Sequence, residues 1–233
     1  MTINLEPKQQ RLAKLGLALL FALGLVVFFA LGGQHWLSLD VIKAHWGGLL
    51  AYTQAHYVRM VFAAGLAYAL STAFSIPGGA VLSLVLGALF GRWVGTVITV
   101  FASTIGATGL FLGARFVFGE AVRRRLASHP VGARLLEGFR EDAFNYLLFL
   151  RLVPLFPFWL VNLVPAVTTI DTKTYIKATF LGIIPGSFVY VNLGYSLGEI
   201  SSLNDVLSFE VVLAFTLLGL FALLPVFVKK PPA

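Results

Sequence analysis

Phe149-Leu150-Arg151-Leu152-Val153-Pro154-Leu155-Phe156-Pro157-Phe158-Trp159-Leu160-Val161-Asn162 is the stretch that decides the fold. It lies inside an apolar run from Phe144 to Ile170, long enough to cross a bilayer. Yet Pro154, Pro157 and Pro165 cannot all sit in one regular helix, because each lacks an N–H and its ring clashes with the preceding turn. A charge, Arg151, stands just before the break, where insertion scales put its cost at roughly 2.5–3.5 kcal/mol. The run reads as a hairpin that dips into the membrane and returns, with Arg151 on one limb and Asn162 on the other.

A second broken run lies upstream. Val58 to Phe90 is apolar for 33 residues, interrupted at Ser75-Ile76-Pro77-Gly78-Gly79. One straight helix of that length would extend about 50 Å, too long for a single crossing. Two half-helices turning at Pro77-Gly78-Gly79 fit better, since glycine accepts positive φ. Leu15–Leu31, Val94–Phe118, Tyr175–Gly198 and Leu207–Val228 read as full spans, the third with a kink at Pro185-Gly186. The first follows Lys8, Arg11 and Lys14 and resembles a secretory signal, but Gly32-Gly33-Gln34-His35-Trp36 offers no small-x-small cleavage site, so a retained anchor is expected.

The remaining segments are mixed. Residues 34–57 place Trp36, Leu39, Ile42, Trp46 and Leu49-Leu50 at helical spacing, which suits an external helix in the interface plane. Residues 119–142 carry Arg123-Arg124-Arg125, Arg134 and Arg140 beside Leu126, Leu135 and Phe139, and read as a cytoplasmic amphipathic helix pair broken at Pro130. The expected organisation is an anchor helix over 1–33, the interfacial helix over 34–57, and a core domain over 58–200. That domain comprises a hairpin over 58–91, a span over 93–118, the amphipathic stretch, a hairpin over 144–170 and a span over 175–198. A C-terminal span and basic tail fill 201–233. The fold class is an all-α integral membrane protein of about four spanning helices and two opposed re-entrant hairpins, an inverted repeat by hydropathy.

Composition agrees. The chain has 233 residues, 58% hydrophobic and 12% charged, with a mean hydropathy of +0.89. Soluble domains are about 25% charged, so an ordinary globular domain and a disordered chain are both excluded. Without cysteine there is no disulfide, thiolate metal site or cysteine nucleophile. The net charge of +7 follows topology rather than nucleic acid. With both termini cytoplasmic, twelve cations fall inside, and only Lys43, Arg59 and Arg92 fall outside. Glu199, Asp205 and Glu210 occupy the external loop.

The stretch from Phe149 to Asn162 resembles the signature of the DedA superfamily, in particular the branch labelled SNARE-associated Golgi protein or VTT domain. Ile76-Pro77-Gly78-Gly79 through Gly87-Ala88-Leu89-Phe90-Gly91 resembles the matching first-hairpin motif. The resemblance covers roughly 58–200. It implies two opposed re-entrant hairpins and movement of lipids between leaflets, either phospholipid or undecaprenyl phosphate. Some bacterial members carry acids near the first hairpin, linked to proton dependence. Residues 58–91 contain neither Asp nor Glu, which argues against proton coupling here. The second hairpin ends Val164-Pro165-Ala166 where the family often has glycine.

The residues point the same way. A guanidinium binds phosphate through a planar fork, so Arg151 fits a phosphate-headed lipid, while it could also satisfy carbonyls freed by Pro154 and Pro157. Asn162 bonds either the turn or a headgroup. Pro77, Gly78 and Gly79 shape the first turn, and Pro154 and Pro157 the second. Arg115 either snorkels to the cytoplasmic surface or lines a headgroup path. Together these residues form the candidate lipid path. Rows of small residues at Gly87, Gly91, Gly95, Thr99 and Ser103, and at Gly182, Gly186, Gly194 and Gly198, suit close helix packing. Gly194-Tyr195-Ser196-Leu197-Gly198 matches G-x-S-x-G, but it lies in a spanning helix without a nearby histidine. No enzyme activity and no cofactor are expected. The partners are membrane phospholipids or lipid phosphates, with no nucleic acid; a homo-oligomer is compatible with the sequence. A secondary transporter of a small anionic solute and a membrane-organising scaffold acting through Arg123–Arg125 are the rival classes. Compact loops suggest a bacterial inner membrane.

Overall fold

The computed structural model describes residues 7–36, 39–153, 156 and 158–196. The expected span Leu207–Val228, the basic tail and the acidic loop lie outside the described residues, as do Pro154 and Pro157. Among the described residues all regular structure is helical. The helices are α1 (Pro7–Ala30), α2 (Gly33–Trp36), α3 (Leu39–Ala44), α4 (Trp46–Ala55), α5 (Tyr57–Ala73), α6 (Gly79–Ala127), α7 (Pro130–Leu152), α8 (Phe158–Ala166) and α9 (Thr172–Tyr195). Three of them, over Arg11–Ala30, Gly79–Gly119 and Thr172–Tyr195, are long and apolar enough to cross a membrane.

The side chains are distributed as lipid demands. Phe62 is 74% exposed and Trp93 71%, while Thr99, Asn162 and Thr179 are fully buried. In water, such an apolar exterior would cost about 25 cal/mol for each Å². The protein is an integral membrane protein, and its interior hydroxyls mostly close on their own helix, as Thr104 does on the Val100 carbonyl at 2.7 Å.

α5 and the first part of α6 form a hairpin. Tyr57 and Phe90, at its two open ends, stack edge-on with ring centroids 5.6 Å apart. The reversal occupies Phe74 to Gly78, where Ser75 (φ 53°) and Gly78 (φ 131°) take left-handed backbone. Gly79 is not part of the turn, as the sequence suggested, but the first residue of α6. α6 then breaks at Gly91 (φ 77°, ψ 172°), which separates the short limb from the long span. Only glycine takes that φ without strain.

Two further expectations are corrected. The single helix over 34–57 is three short ones, α2 to α4. His45 and His56 leave helical φ/ψ and bound α4, which carries Gly47-Gly48 inside it. The polar stretch after Phe118 does not begin a new helix, because no strong breaker precedes His129-Pro130; α6 therefore continues to Ala127. Pro130 opens α7, where its missing N–H is harmless. α7 itself bends at Asp142 (φ −149°, ψ 76°), whose carboxylate accepts from the Asn145 backbone and side-chain amides. That cap separates a surface half from an apolar limb over 143–152. α9 runs through Pro185 without a break.

α6 and α9 lie antiparallel. Trp93 meets Phe188, Phe101 meets Phe180 and Phe111 stacks on Tyr175. Parts of the small-residue rows are contact surfaces, whereas Gly91 and Gly186 meet open space. A Cβ on Gly87 would collide with the Val191 carbonyl, and one on Gly194 with the Leu84 carbonyl. Gly194 therefore serves packing between backbones, not a nucleophile turn.

Candidate functional site

Arg151 lies in the last turn of α7, two residues before extended Val153 (φ −85°, ψ 110°), the conformation required ahead of Pro154. Its Cβ rests on Gly182 of α9, where a methyl group would collide. The side chain then runs back towards the start of α9. Nη2 donates to Asn162 Oδ1 at 2.7 Å, to the Tyr175 hydroxyl at 2.9 Å and to Thr179 Oγ1 at 3.1 Å. One nitrogen carries two hydrogens, so these three acceptors share them. The Tyr175 hydroxyl is 3.1 Å from both the Ala107 carbonyl of α6 and Asn162 Oδ1, and it gives its single proton to one of them. α6, α7, α8 and α9 thus converge on one phenol. Asn162, Tyr175 and Thr179 are fully buried, and Arg151 is partly buried.

Arg115 is tied to the backbone of the second hairpin. Its Nη2 donates to the carbonyls of Pro165 (3.2 Å) and Thr168 (3.1 Å), and Nε to Ala166 (3.3 Å). These are the carbonyls at the C-terminal end of α8, where a cation is favoured. The guanidinium also sits 4.2 Å from the Phe111 ring centroid. Phe111 in turn stacks on Tyr175 at 3.9 Å and 12°. The two arginines therefore grip α8 at different points, Arg151 through Asn162 and Arg115 through its end, and one aromatic pair lies between them.

Pro77, Gly78 and Gly79 sit elsewhere, around the tip of the first hairpin. There the Tyr68 hydroxyl lies 3.1 Å from Ser83 Oγ, and Ser83 donates to the Gly79 carbonyl at 2.8 Å. Depth along α6 relates the two hairpins. The first reaches Gly106, which abuts the Ala69 carbonyl and Thr72. The second reaches Gly182, which lies near the Phe101–Phe180 contact. Counting residues along α6, the two hairpins overlap by about 10 Å.

Tyr175, Thr179, Phe111 and the Ala107 carbonyl were not legible as site members. The available signal is a pair of hydroxyls four apart, Tyr175 and Thr179, on the face of an apolar span that also carries Gly182. The buried atoms Thr99 Oγ1 and Asn162 Nδ2 have no hydrogen-bond partner among the described residues, at a cost of about 1–3 kcal/mol each. Among the described residues no three His, Asp or Glu side chains gather to hold a metal ion.

The family model of the VTT domain matches residues 76–196, which include Arg115, Arg151, Asn162 and Tyr175. The chain is similar to the transmembrane protein 41 homologs of Dictyostelium discoideum (32% identity over 66% of this chain and 46% of the relative) and Drosophila melanogaster (30% over 65% and 48%). It is also similar to human transmembrane protein 41B (29% over 71% and 57%). The chain spans about half the length of these curated relatives. No solved structure matches it.

Proposed function

Because the chain belongs to the VTT-domain family, we propose that it passes phosphate-headed lipids between the leaflets of a membrane, with no energy source of its own. The observation that carries this reading is Arg151. A guanidinium is held inside an apolar bundle, at the break of a hairpin, by three neutral oxygens. A phosphate oxygen is a stronger acceptor for that fork than any of them.

Depth supports re-entrant hairpins. Phe74, at the first tip, touches Phe21 and Gly24 of α1. These lie 10 and 13 residues beyond Arg11, about 15–20 Å into a helix that needs about 30 Å to cross. Orientation is supported by a gathering of cations. Lys14 packs over Phe116, Arg123–Arg125 end α6, and Lys173 opens α9, all at one end of the bundle. That end is the cytoplasmic one in this reading, and the compact loops fit a bacterial plasma membrane. Overlapping broken limbs shorten the apolar path for a headgroup, while acyl tails stay in lipid.

The test is leaflet exchange. Purified protein is reconstituted with a fluorescent phospholipid, and dithionite-accessible signal is followed in wild type and Arg151→Ala. Fast exchange that the substitution slows by about tenfold or more, as loss of a charged hydrogen-bond donor predicts, supports the reading. A folded wild type that exchanges no lipid overturns it.

A further inference from the structure

Asn162 is fully buried on α8, and its two carboxamide atoms have different fates. Oδ1 accepts from Arg151 Nη2 at 2.7 Å and lies 3.1 Å from the Tyr175 hydroxyl. These contacts fix the orientation of the amide, because the flipped form would set its N–H groups against the guanidinium N–H groups. Nδ2 therefore faces away from Oδ1's partners, carrying two hydrogens and no acceptor among the described residues. Tying the two limbs of the hairpin together uses Oδ1 alone. It does not call for an amide nitrogen. Aspartate, of the same shape, would offer two acceptors to the same arginine and leave no donor unmatched. Threonine would offer one shorter hydroxyl, whose oxygen and single hydrogen sit on the same atom, and a methyl group. Asparagine alone among these presents a donor atom separate from the acceptor that Arg151 uses, and that donor has no acceptor among the described residues.

We propose that Asn162 is a specificity-determining residue, whose Nδ2 is the second donor to the oxyanion that Arg151 receives. The ligand chemistry is a phosphate monoester or diester, with one oxygen on the Arg151 fork and another on the Asn162 amide. This deepens the translocation reading and rests on it for the lipid. Donors on both limbs of a broken hairpin let the anion bridge them once the hairpin opens. A cationic amine head finds no partner in Nδ2.

The experiment compares the full chain with Asn162→Asp and Asn162→Thr. Each protein in detergent is titrated with dihexanoyl phosphatidylglycerol, with dihexanoylglycerol and with inorganic phosphate, and thermal unfolding is followed. Exchange of fluorescent phosphatidylglycerol in vesicles is measured in parallel. Wild type is expected to gain stability from phosphatidylglycerol and not from the uncharged diacylglycerol. Asn162→Asp is expected to be at least as stable as wild type without lipid. Both variants are expected to lose about tenfold or more in apparent affinity for phosphatidylglycerol and in exchange rate, the loss of a charge-assisted hydrogen bond. If either variant folds and still binds and moves the lipid as wild type does, Asn162 only ties the limbs and the proposal is overturned. Should Asn162→Asp fail to fold, Asn162→Thr alone decides on the same criterion. Wild type stabilised equally by inorganic phosphate, with that effect lost in the variants and no lipid exchange, supports the donor assignment and overturns the lipid reading instead.

Discussion

The two hairpins have the same outline and opposite chemistry. The first is closed by neutral groups, with the Tyr68 hydroxyl, Ser83 Oγ and the Gly79 carbonyl in one short chain of bonds. Its reversal uses left-handed backbone at Ser75 and Gly78. The second carries Arg151 at its break and joins its limbs through Asn162. A broken helix in a bilayer must satisfy its own backbone, and the first hairpin does so without any charge among its bonded side chains. The shape alone therefore does not require an arginine. The charge in the second hairpin is not dictated by the hairpin outline, and its cost on insertion is why the proposed function rests on it.

The largest expected contrast follows directly. Arg151→Gln should slow lipid exchange about tenfold or more, whereas Tyr68→Phe should leave the rate within about twofold, because Ser83 keeps its Gly79 bond. Equal losses in the dithionite assay would erase the distinction between the hairpins. Next in size is Gly194→Val. Its side chain would meet the Leu84 carbonyl and separate α9 from the first hairpin, lowering stability by about 1–3 kcal/mol or more. Gly186→Ala meets open space and serves as the control in the same thermal melts.

Arg115→Met should cost about 1–3 kcal/mol through the unsatisfied carbonyls at the end of α8. Amide hydrogen exchange should rise over 162–170 and remain unchanged over 79–90, confining the effect to the second hairpin. The smallest effect concerns Asp171, the cap of α9. Its hydrogen bonds with Thr174 and Lys173 hold the carboxyl below the ordinary aspartate value. A depressed value means the stabilisation is present above the ordinary aspartate range, about pH 4, and is lost as pH falls through the depressed value. Faster exchange at the Lys173 and Thr174 amides on acidification, absent in Asp171→Asn, would show it.

Both interruptions were legible because proline and glycine act locally. Pro77 with Gly78 marks a reversal whatever surrounds it, and Arg151 in an apolar run is conspicuous. The partners of Arg151 were not legible. Tyr175 and Thr179 are unremarkable on a span, and only the docking of α7 on α9 brings them to the guanidinium. The role of Arg115 was missed for the same reason, since its three acceptors lie about 50 residues away in sequence. Gly91 was read as one step in a small-residue row, although it is where the helix breaks. Residues 34–57 misled because hydrophobic spacing survives even where the helix stops, as it does at His45.

The position of Arg151 also has an electrical consequence. Its guanidinium lies beside Thr179, about 10 Å along a helix of about 36 Å, and so within the field that a membrane potential sets up. A unit charge crossing the whole field at 100 mV changes energy by about 2.3 kcal/mol, and a shift through a fifth of it by about 0.5. In the proposed exchange, a step that moved Arg151 without a ligand would carry its charge through that field, and a step that moved it together with a monoanionic phosphate would carry almost none. On that reading voltage biases the unloaded step and leaves the loaded one nearly untouched, so polarised vesicles should favour one direction of net traffic.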